Sequence, residues 1–442
     1  MIMSIKFISE NLVLNTRTNC IFKINQTGKE FILTYLNYGL SEQSIQFLTK
    51  KFNIDKKIIK NDYFNYIKQL NKQCKINIEQ LPFLHHLILE PTNECSAHCI
   101  HCFHQSKNKY SWSKKEINNF IKFFKDYGIK SVSITGGEIF SPHYVENAKY
   151  LINNLYSNNI DISTISTNGM FLTKELCDWL KNNLNLKKVI FRISLDTIGI
   201  KNVVIIRPGY KNFFNEKYWD YLNLLKINVI VTTVISTQSP EEILNIAKFL
   251  STQKYVKSWI LKPLVPTKKS SFYDSQWVNI KKIYIKFLNW FKQNQDSVTY
   301  NFILGNVITR SLLNDSSYLE EYQLNEHPCK EEQFQKTLKA NGKISRCPIL
   351  PEINENYTVD IKNLNQLNSE IYDDISISDL QCKTCKYVKL CGGGCRVYAI
   401  SYSGNLYGCD LNSHMMWDWI VNENYFKHTW EDYYIKVKEM LC

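Results

Sequence analysis

The chain has 442 residues, of which 44% are hydrophobic, enough for about two to four packed domains and too apolar for a disordered chain. Its net charge of +13 comes from lysines spread along the sequence, which read first as solvated surface and second as an attraction for an acidic peptide, nucleic acid or a membrane surface. No uncharged apolar run reaches the length of a membrane span, and the start Met-Ile-Met-Ser-Ile-Lys-Phe lacks the layout of a signal peptide. The expectation is therefore a cytoplasmic protein whose fourteen cysteines serve metal or redox ligation rather than disulfides.

In chain order, residues 1–80 show short β-prone runs at Ile5–Ile8, Leu12–Leu14 and Cys20–Ile24, then helical patterns near Glu30–Tyr38, Ser41–Lys51 and Asp55–Gln73. Three strands followed by three helices predict a small separate α+β domain. Residues 81–325 then alternate apolar runs with amphipathic stretches. The strands expected are His86–Glu90, Ser131–Thr135, Asp161–Thr167, Lys188–Leu195, Asn228–Ile235 and Ser258–Pro263. Capping-box patterns at Ser113 to Glu116 and Ser239 to Glu242 mark helix starts, and Pro142 after Ser141 reads as a first helical residue. Six β-α units predict an α/β fold, a partial (β/α)6 TIM-like barrel with its chemistry at the carboxyl ends of the strands.

Cys95, Cys99 and Cys102 follow the first of these strands in the run Thr-Asn-Glu-Cys-Ser-Ala-His-Cys-Ile-His-Cys. Three thiolates at this spacing leave one iron of a 4Fe-4S cubane without a protein ligand, whereas four-cysteine zinc sites come as paired C-x2-C. Thr135-Gly136-Gly137-Glu138 follows the second strand. Ser166-Thr167-Asn168-Gly169 ends the third, and Arg192-Ile-Ser194-Leu-Asp196 ends the fourth.

The cysteine triplet with the Gly-Gly-Glu turn resembles the radical S-adenosylmethionine (SAM) superfamily. The resemblance implies that the open iron chelates SAM and that one electron cleaves it to a 5'-deoxyadenosyl radical. It also implies cofactor contacts at Gly136, Gly137, Glu138, Ser166, Asn168, Arg192, Ser194 and Asp196. Glu138 would meet the SAM amino group, and the serines, Asn168 and Asp196 the carboxylate and ribose. Arg192 would pair either with the SAM carboxylate or with a buried Asp. Arg207-Pro-Gly matches an Arg-Gly turn of relatives with Pro208 inserted. His101 would stack near adenine, while His98 and His104 read as loop residues.

Residues 326–442 carry Cys329, Cys347, Cys382, Cys385, Cys391, Cys395 and Cys409. Taken alone, Cys382, Cys385, Cys391 and Cys395 could also make a zinc ribbon. The full spacing resembles the SPASM extension, which implies two auxiliary 4Fe-4S clusters. One would be held by Cys382, Cys385, Cys391 and Cys409, the other by Cys329, Cys347 and Cys395. The second set is one cysteine short, leaving Glu326, His327 or Cys442 to complete it, or an iron open to a substrate thiolate. Cys20, Cys74 and Cys177 read as buried free thiols, and Trp417, Trp419 and Trp430 as packing for the last helix.

The first 80 residues resemble the winged-helix-like leader-binding domain of enzymes that modify ribosomally made peptides, with a DNA-binding helix-turn-helix or a structural cap as alternatives. A leader would add to the Cys20–Ile24 edge as an extra strand. Together these resemblances imply a radical SAM peptide maturase of the sactipeptide or ranthipeptide type, fed by ferredoxin or flavodoxin. It would form a thioether cross-link, with carbon-carbon cross-linking, or action on a sulfatase or tetrapyrrole, as alternatives.

Overall fold

A computed structural model describes residues 5–9, 12–15, 20–38, 42–73, 86–104, 108–126, 129–198, 206–207, 216–265, 273–319, 321–324, 326–329, 336–361 and 375–441. Cys74, Cys442, the Pro208-Gly turn and residues 81 and 325 lie outside the described residues.

Strands β1 (Ile5–Ser9), β2 (Leu12–Asn15) and β3 (Cys20–Lys23) form an antiparallel sheet in the order β1-β2-β3. Helices Gln26–Tyr38, Glu42–Phe52 and Lys56–Gln73 follow. The first begins ahead of the expected Glu30 because Asn25 caps it, its side chain accepting the Gly28 N–H at 2.7 Å. The three helices share a core in which Phe31 meets the rings of Phe52, Tyr63 and Tyr66 edge to face.

The second sheet has eleven strands in the order β11-β10-β9-β8-β7-β6-β5-β4-β12-β13-β14. Six are the expected ones: β4 (His86–Leu89), β5 (Ser131–Ile134), β6 (Asp161–Thr167), β7 (Ile190–Ser194), β8 (Asn228–Ile235) and β9 (Val256–Pro263), each parallel to the next. Two further parallel strands extend this set, β10 (Asn301–Leu304) beside β9 and β12 (Lys336–Leu338) beside β4. The short strands β11 (Ile308–Thr309), β13 (Lys343–Ser345) and β14 (Thr358–Asp360) pair antiparallel at the two margins. The sheet thus stays open, with chain from the carboxy-terminal section closing the β4 side.

Alternation explains the layering. Along β8, Val229, Val231, Thr233 and Ile235 are buried while the intervening residues are half-buried. The buried set packs with helix residues such as Ile243, Ile246 and Ala247 of Pro240–Ser251. The half-buried face is polar at the amino ends, where His86 contacts the hydroxyls of Ser131 at 2.7 Å and Ser133 at 2.9 Å.

Both capping boxes form, with Ser113 N–H donating to Glu116 at 2.8 Å and Ser239 paired reciprocally with Glu242. Pro142 does not start its helix, which runs Val145–Ser157. The turn that buries Glu138 runs on through Ser141, whose carbonyl accepts the Tyr144 and Val145 N–H groups at 2.9 Å and delays the first helical turn. The expected tryptophans are buried, and Trp419 and Trp430 join the same core as the Tyr273–Gln293 helix through Tyr284 and Phe291.

Candidate cluster-binding and cofactor site

The residues singled out from sequence gather on one rim. Cys95, Cys99 and Cys102 occupy the loop after β4, each part-exposed and free of disulfide. His98 sits in the left-handed region at φ 38°, which reverses the chain between the first two thiols. The three thiols sense one another electrostatically. Burial is the main cause that raises the titration of all three, and it pushes Cys99 up to about 12.

Backbone clamps hold this loop. Gly137 N–H donates to Thr92 O at 2.7 Å, Glu138 N–H to Glu94 O at 2.8 Å, and Ile100 N–H to Ile206 O at 3.1 Å. A Cβ on Gly137 would lie 2.0 Å from Glu94 O, and one on Gly136, at φ 124°, 2.3 Å from Thr92 O. The closeness these glycines permit is therefore to the backbone that leads into the cysteine loop.

Glu138 is fully buried. Its Oε1 accepts the Thr167 hydroxyl at 2.8 Å and Phe140 N–H at 3.0 Å, and its Oε2 accepts Asn168 N–H at 2.7 Å. Burial outweighs these bonds and holds its carboxyl above the ordinary range. The carboxylate ties the Gly-Gly-Glu turn to the end of β6. From there Asn168 reaches toward the Cys95 sulfur, Nδ2 to Sγ at 3.8 Å.

Asp196 is buried just beyond β7. Its Oδ2 takes the Arg207 Nε at 2.7 Å as well as an Arg207 terminal nitrogen, and its Oδ1 accepts Val234 N–H at 2.9 Å. Burial alone would raise its carboxyl, but Arg207 and then His101, whose Nε2 lies 3.3 Å from Oδ2, hold it below the usual carboxylate range. Arg207, not Arg192, is the arginine that balances the buried aspartate. Arg192, exposed, and Ser194, half-buried, share one face of β7, and Ser166 pairs in register with Arg192. His101 faces Asp196, so its ring is held by the carboxylate.

Around the carboxy-terminal cysteines, three consecutive glycines, Gly392, Gly393 and Gly394, have φ of 58°, 83° and 71°. A Cβ on Gly394 would stand 2.5 Å from the Asp410 carboxylate, and one on Gly393 2.3 Å from Leu380 and 3.3 Å from Pro328, which precedes Cys329. Cys391 senses Cys382 and Cys385, and Cys382 shares a hydrogen bond with Cys409, so these four thiols are grouped. That shared proton lowers Cys382 and raises Cys409. Cys347 and Cys395 pack against a second apolar cluster containing Leu350 and Val397.

Sequence reasoning missed several residues here. Buried Asp410 accepts Cys395 N–H at 2.8 Å and the Ser413 hydroxyl at 2.8 Å. Arg396 donates to the carbonyls of Leu406 at 2.8 Å and Gly408 at 3.0 Å. His414 Nδ1 lies 3.7 Å from Cys385 Sγ. Asp410 was legible as a helix N-cap before Leu411–Asn422, whereas Arg396 and His414 carry no local signal. Lys262, half-buried at the carboxyl end of β9, is held below the ordinary lysine range by burial and then by Arg192. Its strand end is tied to the Cys395 side, since the Tyr398 hydroxyl donates to Pro263 O at 2.8 Å.

In donor chemistry the free, part-exposed thiols on glycine-shaped loops are soft ligands of the type that iron-sulfur groups take, while no three His, Cys, Asp or Glu side chains among the described residues stand close enough to hold a single metal ion. The cysteine triplet thus sits at the carboxyl end of a strand in an open parallel α/β sheet, the edge at which such sheets carry ligands. Residues 89–250 match the Radical SAM superfamily, so the chain carries a radical SAM domain.

The GTP 3',8-cyclase of Campylobacter fetus subsp. fetus is 34% identical over 118 residues, 26% of this chain and 35% of that protein. The chain matches less than half the length of such curated relatives. In fold it is similar to Streptococcus suis SuiB bound to S-adenosylmethionine, 18% identical, at TM-score 0.55 over 91% of this chain and 98% of SuiB. SuiB is also solved with its precursor peptide SuiA. Native anSMEcpe with AdoMet and the Cp18Cys peptide is 14% identical, at TM-score 0.56 over 80% of this chain and 99% of its own. At these identities the likeness is one of fold. No described helix is long and apolar enough to cross a membrane.

Proposed function

We propose that the chain is a cytoplasmic radical SAM maturase that installs a cross-link, by preference a thioether, in a ribosomally made precursor peptide bound through its leader. The observation that carries the reading is the rim loop of Cys95, Cys99 and Cys102 inside the radical SAM domain. In this reading those thiolates hold a 4Fe-4S cluster which, with bound SAM, supplies a 5'-deoxyadenosyl radical.

The chain's own residues bind and orient. Gly136 and Gly137 bring the turn against the cysteine loop, and Glu138 fixes the end of β6 so that Ser166 and Asn168 face the cofactor. Arg192, on the accessible face of β7, is the candidate partner for the SAM carboxylate. Cys382, Cys385, Cys391 and Cys409, with Cys329, Cys347 and Cys395, would hold two auxiliary clusters, and ferredoxin or flavodoxin would deliver electrons. In the three-cysteine set, His327 turns Nδ1 back onto its own chain, where it accepts the Cys329 N–H at 3.1 Å.

The peptide partner is supported by the three-stranded sheet. Among the described residues β3 pairs only with β2, so its other edge can take an added strand. A net charge of +13 suits an acidic leader. The GTP 3',8-cyclase name attaches to a match over 26% of this chain, and a shared segment does not carry a substrate with it.

The test pairs iron and sulfide content after anaerobic reconstitution with 5'-deoxyadenosine formation. About twelve iron per chain is expected for three 4Fe-4S clusters. A chain lacking residues 1–80 should still cleave SAM while losing affinity for a precursor encoded beside its gene. Zinc with little iron would overturn the enzyme reading, and unchanged peptide affinity the leader reading.

A further inference from the structure

Beneath the rim, two carboxylates, an ammonium and an imidazole from separate segments meet in the interior. Glu90 follows β4, and Lys339 follows β12, whose Leu338 carbonyl accepts Glu90 N–H at 2.8 Å. His104 lies two residues after Cys102. Glu352 belongs to the Leu350–Ile353 turn of helix that follows Cys347.

The Lys339 ammonium stands 2.6 Å from Glu90 Oε2 and 3.0 Å from Glu352 Oε1. It donates to Pro348 O, the residue after Cys347, at 2.9 Å. His104 Nδ1 lies 3.4 Å from Glu352 Oε1, and His104 Nε2 4.0 Å from Glu90 Oε1. The exposures are 0% for Glu90, 8% for Lys339, 7% for His104 and 11% for Glu352, so water hardly screens the lysine and the two carboxylates. The Glu90 contact with Lys339 is an ion pair without hydrogen-bond alignment.

A buried ion network contributes little net stability over an apolar replacement, so its consequence lies in the geometry it imposes. Here it joins the loop bearing Cys102 to the segment bearing Cys347. Cys102 already senses the Glu352 charge.

We propose that Glu90, Lys339, Glu352 and His104 form a clasp in which Lys339 is a positioning residue, locking the Cys102 loop against the Cys347 segment and setting the charge that both cluster sites share. The inference rests on the auxiliary-cluster reading above. Because the clasp faces both sites, a change in its charge must move both centres together, and the sign must follow the charge removed. A cluster gains negative charge on reduction, so loss of a cation lowers its potential and loss of an anion raises it.

The experiment uses the full-length, iron-loaded protein and redox titrations followed by low-temperature EPR. The centre whose signal responds to SAM is the rim cluster, and the signal lost in Cys347→Ala marks the auxiliary one. Lys339→Met is expected to lower both potentials, Glu352→Gln to raise both, and Lys339→Arg to return both to wild type. A shift at one centre alone, shifts of the same sign in Lys339→Met and Glu352→Gln, or no shift would overturn the clasp. Should Lys339→Met fail to fold, Glu352→Gln decides by itself: both potentials rise, or the proposal falls. About four iron per wild-type chain would remove the auxiliary reading and the clasp with it. A full iron complement with unmoved potentials would overturn the clasp alone.

Discussion

The two cysteine-bearing regions reach similar donor sets by opposite routes. Cys95, Cys99 and Cys102 lie close together on one loop, which hangs from β4 and is gripped by backbone hydrogen bonds from the Gly-Gly-Glu turn and from Ile206. The carboxy-terminal cysteines are spread from Cys329 to Cys409 and need buried side chains, Arg396 and Asp410, to bring their segments together. The first site is a local motif at the carboxyl end of a strand paired on both sides. The second exists only once distant segments pack, so it is the more exposed to single substitutions outside its ligands.

The largest expected effect breaks the local site. Replacing Cys95, Cys99 and Cys102 together by alanine should remove about four iron per chain and abolish 5'-deoxyadenosine formation, read by iron assay and chromatography. Retained SAM cleavage would exclude this loop as the radical centre.

Next is Arg207→Met, which leaves the buried Asp196 carboxylate without its principal cation and should cost about 3–5 kcal/mol in denaturant unfolding. The pH dependence changes sign. In the wild type the Asp196 carboxyl sits below its unfolded value, so its contribution is present above that value and is lost as pH falls through the folded one. Without Arg207 burial dominates and raises the carboxyl, so stability recovers as pH falls. Unfolding curves at several pH values separate the two.

Gly137→Ala places a Cβ 2.0 Å from a backbone oxygen, and the resulting shift should cost roughly 1–3 kcal/mol. Iron bound at the rim loop should be lost before any that the carboxy-terminal cysteines are proposed to hold, which sharpens the contrast between the two sites. Ser239→Ala serves as a reference: it removes a capping box made with Glu242 and no cysteine, and should cost about 1 kcal/mol with iron content unchanged.

Strands β6 and β8 are legible in sequence to the residue, because β-branched alternation between polar turns admits one reading. The motifs at their ends then fall on one rim by topology alone. Pro142 misled because a buried Glu138 turn, a tertiary feature, delays the helix. Strands β10 and β12 went unread because each is recruited by the outer strand beside it, β9 or β4, rather than by its own pattern. Lysines read as solvated surface, yet Lys339 is 8% exposed because two carboxylates from distant segments converge on it.

The sequence by itself determined the barrel class and the rim loop of thiols, since these depend on local periodicity and short-range geometry. Only the tertiary structure decided which arginine neutralises Asp196, what the paired glycines approach, and that Glu90, Lys339, Glu352 and His104 meet. The physical reason is that burial and electrostatics are set by neighbours far apart in the chain, whose convergence no local pattern encodes.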